Sequence, residues 1–177
     1  MISYQVQSEK GFSEKIGELV CMLEHARAVT IQEVADLTQE ELDECETDGN
    51  SIGMLLSHMA AIEFVHQVIS FEERDLTSDE EEEWGAALEL GSRARAKFHS
   101  LTVDDYLDLL ETTRDMTLEY LKEKDDDWLF EERSWPNGVK YNPYYLWFHV
   151  MEDEISHRRQ IRAMIRSKKQ KIEPLKK

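Results

Sequence analysis

Residues 142–168 read NPYYLWFHVMEDEISHRRQIRAMIRSK, a run with the marks of one long helix. Asn142 is a good helix N-cap, and Pro143 stands at the first helical position, where a missing N–H costs nothing. No glycine or further proline interrupts the chain from there to Lys168. At about 100° per residue, Leu146, His149, Val150, Asp153, His157, Ile161 and Met164 share one stripe. That stripe is a buried face.

Three more helical segments lie upstream. One runs from Ser13 to Asp36, with Ile16, Leu19, Val20, Leu23, Ala26, Ile31 and Val34 near helical spacing. A second starts at Asn50 or Ser51 and carries Ile52, Leu55, Met59, Ile62, Val65 and Ile69. A third opens at Thr102, with Asp104 and Asp105 in its first turn and Tyr106, Leu109, Leu110, Thr113, Met116, Tyr120 and Leu121 inward. Thr38 to Asn50 reads as a connector without an apolar stripe. Glu72 to Glu83 reads as a hydrated acidic surface leading into a short helix around Trp84 to Phe98. The loop from Trp128 to Tyr141 contains Trp135-Pro136-Asn137-Gly138, a strong turn signal. With only 7 Gly and 3 Pro in 177 residues, the chain is expected to be all-α. One four-helix-bundle domain is expected over residues 1–168, with a basic tail at 169–177.

The net charge of −17 opposes non-specific binding to nucleic acid or an anionic membrane. From Arg158 to Lys177 nine Lys/Arg face one Glu. Such an end complements the negative pole of the last helix, or else serves as a docking tail. Two cysteines in no dense pattern argue against a disulfide framework and for a reducing compartment. The start of the chain has no basic-then-apolar leader, and no run approaches the length of a membrane span. A cytoplasmic protein is expected.

The chemistry concentrates in His149 to His157. A carboxylate on an apolar face must be paired or bind a metal. Asp153 is such a carboxylate, whereas Glu152 and Glu154 are expected on solvated sides. His157, four residues on, projects beside Asp153 and supplies the second arm of a chelate. His58, beside Leu55, Ile62 and Val65, is the candidate from a facing helix; His66, His25 and His99 fit less well. Each piece also has a plainer reading. His58 alone is a hydrogen-bonded core histidine, Asp153 with His157 is a structural ion pair, and His149 is a ligand, an orienting neighbour or core.

Asn50-Ser51-Ile52-Gly53-Met54-Leu55-Leu56-Ser57-His58-Met59-Ala60 resembles the second-helix motif of the DinB/YfiT-like superfamily of bacterial metalloproteins. The run from His149 through Asp153 to His157-Arg158-Arg159-Gln160-Ile161 resembles its last-helix motif. The resemblance spans nearly the whole chain. It implies an up-down-down-up four-helix bundle, often a homodimer, holding a divalent ion, zinc or nickel, through His58, Asp153 and His157. Two departures stand out: many members carry His or Glu where this chain has Asp153, and Arg159 stands where Gly is common. Relatives include thiol-dependent S-transferases and isomerases, so the resemblance further implies a low-molecular-weight thiol, of the bacillithiol type, and an electrophile as substrates. The alternative is a non-catalytic metal-binding or stress-response bundle. Trp135 and Tyr141 are candidates for the wall of a cofactor pocket, against the plainer reading of a packed loop. Arg158 is a candidate for an acidic thiol cofactor, against that of a surface salt bridge.

Overall fold

The structure is a computed structural model that describes residues 2–45 and 49–172, with side chains through 168. Four long helices dominate it: α1 (Glu14–Val34), α3 (Ile52–Gln67), α6 (Val103–Lys122) and α7 (Pro143–Ile172). Three short helices, α2 (Gln39–Asp43), α4 (Ser78–Glu89) and α5 (Gly91–Lys97), lie in the connections. One two-stranded hairpin, β1 (Arg133–Ser134) with β2 (Lys140–Tyr141), precedes α7. The chain is all-α in class. The basic tail expected at 169–177 lies, for its side chains and for residues 173–177, outside the described residues.

Local chemistry sets the helix starts. Ser51 accepts from Met54 N at 3.2 Å, and Thr102 from Asp105 N at 3.3 Å while the Asp105 carboxylate accepts from Thr102 N. Asn142 Oδ1 accepts from Tyr145 N at 2.9 Å, so the Asn-Pro start forms as its residues require. Two capping boxes escape the sequence reading. Thr38 with Glu41 starts α2 inside the expected connector, and Leu42 there is fully buried. Thr77 with Glu80 starts α4 inside the acidic stretch, so the helix expected around Trp84 begins earlier, at Ser78.

Thirteen of the sixteen residues of α3 are buried, which makes it the central helix. Together with the π-helical turn Val68–Glu72 that continues it, α3 has the length and apolar composition of a membrane span. Yet 78% of its apolar window is buried inside the protein. The stripes expected on α1 and α6 are partly corrected: Ile31, Met116 and Tyr120 are exposed.

The interior is layered. One apolar cluster gathers Val34, Leu56, Met59, Tyr106, Leu110 and Ile161; another gathers Leu19, Leu23, Leu121, Trp128, Trp147 and Val150. Between them in every long helix stands a polar layer of Arg27, Glu63, Arg114 and Glu154. Arg27 Nη2 donates to Glu63 at 2.8 Å and its Nε to Glu154 at 3.2 Å. Arg114 Nε donates to Glu63 at 2.6 Å. Glu154 is therefore buried, at 2% exposure, and not solvated as its sequence position suggested. Two cations meet two anions, which is the condition for burying all four.

Candidate metal centre

His58 lies on α3 and Asp153 and His157 on α7, and these two helices pack together. His58 Nε2 is 3.8 Å from Asp153 Oδ1, and His157 Nε2 is 3.4 Å from the same oxygen. The two imidazoles meet edge to face, with centroids 4.8 Å apart. One donor atom from each residue falls within 4.8 Å of the other two. The three expected side chains converge.

A third element, α4, orients His58. His58 Nδ1 lies 2.8 Å from the Ala87 carbonyl on α4. A carbonyl can only accept, so a proton sits on Nδ1, and Nε2, on the Asp153 side, is the atom that takes a second proton or a metal ion. Stacking of Trp84 on Phe64, centroids 4.8 Å apart, holds α4 against α3 where that carbonyl is needed. Arg74, bidentate on Glu80 at 2.7 and 2.8 Å, braces the start of α4. Ala87 escaped the sequence reading because a backbone acceptor carries no side-chain signature.

Burial resists charge on Asp153, but His157 and His58 outweigh it and hold the carboxyl well below its usual range. Burial likewise opposes a charged His58, yet Asp153 and the Ala87 carbonyl raise its pKa above 6.5. Asp153 Oδ2 and His157 Nδ1 are buried without a hydrogen-bond partner among the described residues. Buried orphans of this kind call for a missing partner. Donors around one tetrahedral ion stand about 3.4 Å apart, close to both separations here. A divalent cation fits this donor set.

The other histidines are placed elsewhere. His25 Nδ1 faces Ser3 O, and His99 Nδ1 faces Ser100 Oγ. His66 Nδ1 faces Ile62 O at 2.7 Å, and its ring lies 5.4 Å from that of His149. His149 is half-buried, with Nδ1 3.4 Å from Glu152, outside the group of three. Trp135 and Tyr141 stack on each other at 4.1 Å across the hairpin, whose Gly138 adopts φ +83° in the turn. Arg133 fastens that hairpin to Ser70 O at 2.7 Å. Ser70 is twelve residues along the helix from His58, about 18 Å at 1.5 Å per residue. Arg158 is neither solvent-exposed nor, among the described residues, in a surface salt bridge. It is 9% exposed and donates to Ala26 O, on the α1 side of α7.

A family model described as mycothiol S-transferase matches residues 18–168. A crystal structure of a conserved protein from Enterococcus faecalis is similar at 16% identity, covering 82% of this chain and 92% of that one, with a TM-score of 0.62. A likeness at that identity speaks to the fold alone. No curated protein matches the chain.

Proposed function

Since the chain belongs to the mycothiol S-transferase family, we propose that it joins a low-molecular-weight thiol to an electrophile at a divalent-metal site formed by His58, Asp153 and His157. The observation that carries this reading is the convergence of those three donors, with Asp153 Oδ2 buried and unpartnered among the described residues beside them.

Two imidazoles and one carboxylate hold three positions and leave others for a ligand, unlike a closed structural site. When bound, a divalent ion such as zinc or nickel supplies Lewis acidity that lowers the pKa of a thiol or water beside it. The protein's part is arrangement. Ala87 fixes the His58 tautomer, Asp153 stays ionised, and the packed seam between α3 and α7 limits water. With monochlorobimane as electrophile, an S–C bond forms as chloride leaves with the C–Cl bonding pair, and the thiol proton passes to water. The seam continues past His66 and His149, and a thiol with an extended body would reach Trp135 and Tyr141 only along it. Arg158 faces the other way.

The layered interior supports an up-down-down-up bundle. From start to end, α1 and α7 pass from the Leu19–Trp147 cluster to the Val34–Ile161 cluster, whereas α3 and α6 pass in the reverse order. A homodimer would draw on Tyr145 and Phe148, exposed on α7 away from Arg158. Free Cys21 and Cys45 suit a reducing cytoplasm.

The test is turnover of mycothiol, bacillithiol and glutathione with monochlorobimane, using protein purified without a polyhistidine tag. The expected result is conjugation with at least one thiol, lost on chelation and in Asp153→Asn. Metal binding without turnover of any thiol would favour the non-catalytic reading.

A further inference from the structure

Arg158 follows His157 in sequence but opens onto a different part of the molecule. Its Nη1 donates to Ala26 O at 2.7 Å, and no carboxylate among the described residues pairs with it. A guanidinium carries five N–H donors, so most of its hydrogen-bonding capacity is unused among the described residues. Burying such a cation without a counter-charge is costly. The acids nearest to serving it are already engaged: Glu154 by Arg27, and Glu33 by Arg162.

Arg158 lines a cavity of about 530 Å³ between α1, α7 and the segment before α1. That volume is in the range of small-molecule sites. Its lining includes the apolar side chains of Met22, Met151 and Ile155, and none of the triad lines it. Residues 2–6 form one wall, fastened where His25 Nδ1 meets Ser3 O at 2.9 Å and Cys21 Sγ donates to Gln5 O at 3.6 Å. Glu9 and Glu24 also face the cavity. Their charge disfavours a polyanion, so one guanidinium is matched by one negative charge.

We propose that this cavity binds a monoanionic carboxylate with an apolar body, the carboxylate on the Arg158 guanidinium and the body against Met22, Met151 and Ile155. A planar carboxylate suits the free donors of a guanidinium in bidentate fashion. The site is separate from the metal centre and does not depend on it.

The experiment titrates decanoate, with decanol as the uncharged control, into the full chain by calorimetry and amide NMR. One saturable decanoate per chain is expected, with shifts at Met22 and Ile155, and decanol should bind at least about tenfold more weakly. Arg158→Gln keeps a donor for Ala26 O and should weaken decanoate about tenfold or more. Met22→Trp fills the cavity and should abolish binding, which keeps the test decisive if the first variant does not fold. Metal content should match wild type in Met22→Trp, separating this result from any failure of the metal centre. Absence of saturable binding, equal binding of decanol, or full binding in Met22→Trp would overturn the proposal. So would a dimer in which Tyr4 and Ile155 are covered by a second copy.

Discussion

His58 Nε2 stands 3.8 Å from Asp153 Oδ1 while its other ring nitrogen is tied to the Ala87 carbonyl at 2.8 Å. The ring cannot turn away from Asp153 without breaking a buried hydrogen bond. His58→Ala should therefore strip a near-stoichiometric divalent ion from tag-free protein, while His149→Ala and His25→Ala retain it. Elemental analysis of the three variants checks this. An ion retained in His58→Ala would place the centre elsewhere.

Protons and metal compete for the same atoms, so affinity should depend on pH. Asp153 is held as a carboxylate well below its usual range and contributes no change near neutrality. His58 has a pKa raised above 6.5, so it keeps its proton at pH values where a free imidazole has lost it. Metal must displace that proton. Affinity should thus fall as pH drops through the raised pKa, a loss that starts above 6.5. Chelator competition between about pH 5 and 8 measures it, and a flat profile would contradict the assignment.

What was legible follows from what one helix can display. Asn142-Pro143, Thr102 and Ser51 announce helix starts by local hydrogen bonding alone, and each forms as read. Asp153 and His157 share a stripe by spacing. His58 stood out because a polar ring in an otherwise apolar run must be satisfied somewhere. The polar layer was hidden because Arg27, Glu63, Arg114 and Glu154 come from four helices, and nothing in a single helix pairs a charge with one on another. A signal existed at Glu63. A helix apolar on all sides has no wet face for a carboxylate, so that acid needed a cation from a neighbour. The acidic run before Trp84 concealed where α4 begins because charge density masked the Thr77–Glu80 capping box.

Glu63 is fully buried and accepts from Arg27, Arg114 and Thr117. Glu63→Gln leaves two guanidinium groups short of an anion. Breaking one side of a buried pair costs about 3–5 kcal/mol, and urea unfolding should show a loss of that size. A change under about 1 kcal/mol, the worth of a surface pair, would mean that the layer contributes little to stability.

The same carboxylate predicts acid sensitivity. Burial pushes its pKa up, but Arg114 and Arg27 overcome that and hold it at about 2 against an ordinary 4.5. A depressed folded-state value means that the stabilisation is complete above 4.5 and is lost as pH falls towards 2. The loss over that window is on the order of 3 kcal/mol. It should be absent in Glu63→Gln, so the stability difference between wild type and variant narrows on acidification. A difference that stays constant with pH would assign the effect to packing.

Gly53 supplies the last test, because it sets how closely α3 approaches α6. A Cβ built there would run into the Tyr106 phenol, both hydroxyl and ring. Within a helix, Gly→Ala ordinarily gains about 1 kcal/mol, whereas forcing atoms into a packed core costs about 1–3 kcal/mol. Tyr106 is 1% exposed and packed in the apolar cluster with Leu55, Leu56 and Leu110, so it has little room to retreat and the penalty should win. Gly53→Ala is expected to lower the melting temperature. Tyr106→Phe should be close to neutral, because the lost hydroxyl is buried without a hydrogen-bond partner among the described residues. Gly53→Ala in the Tyr106→Leu background should recover stability relative to Tyr106→Leu alone, because the obstructing ring is gone. If Gly53→Ala raises the melting temperature in the wild-type background, the contact between α3 and α6 has slack, and the glycine is there for another reason.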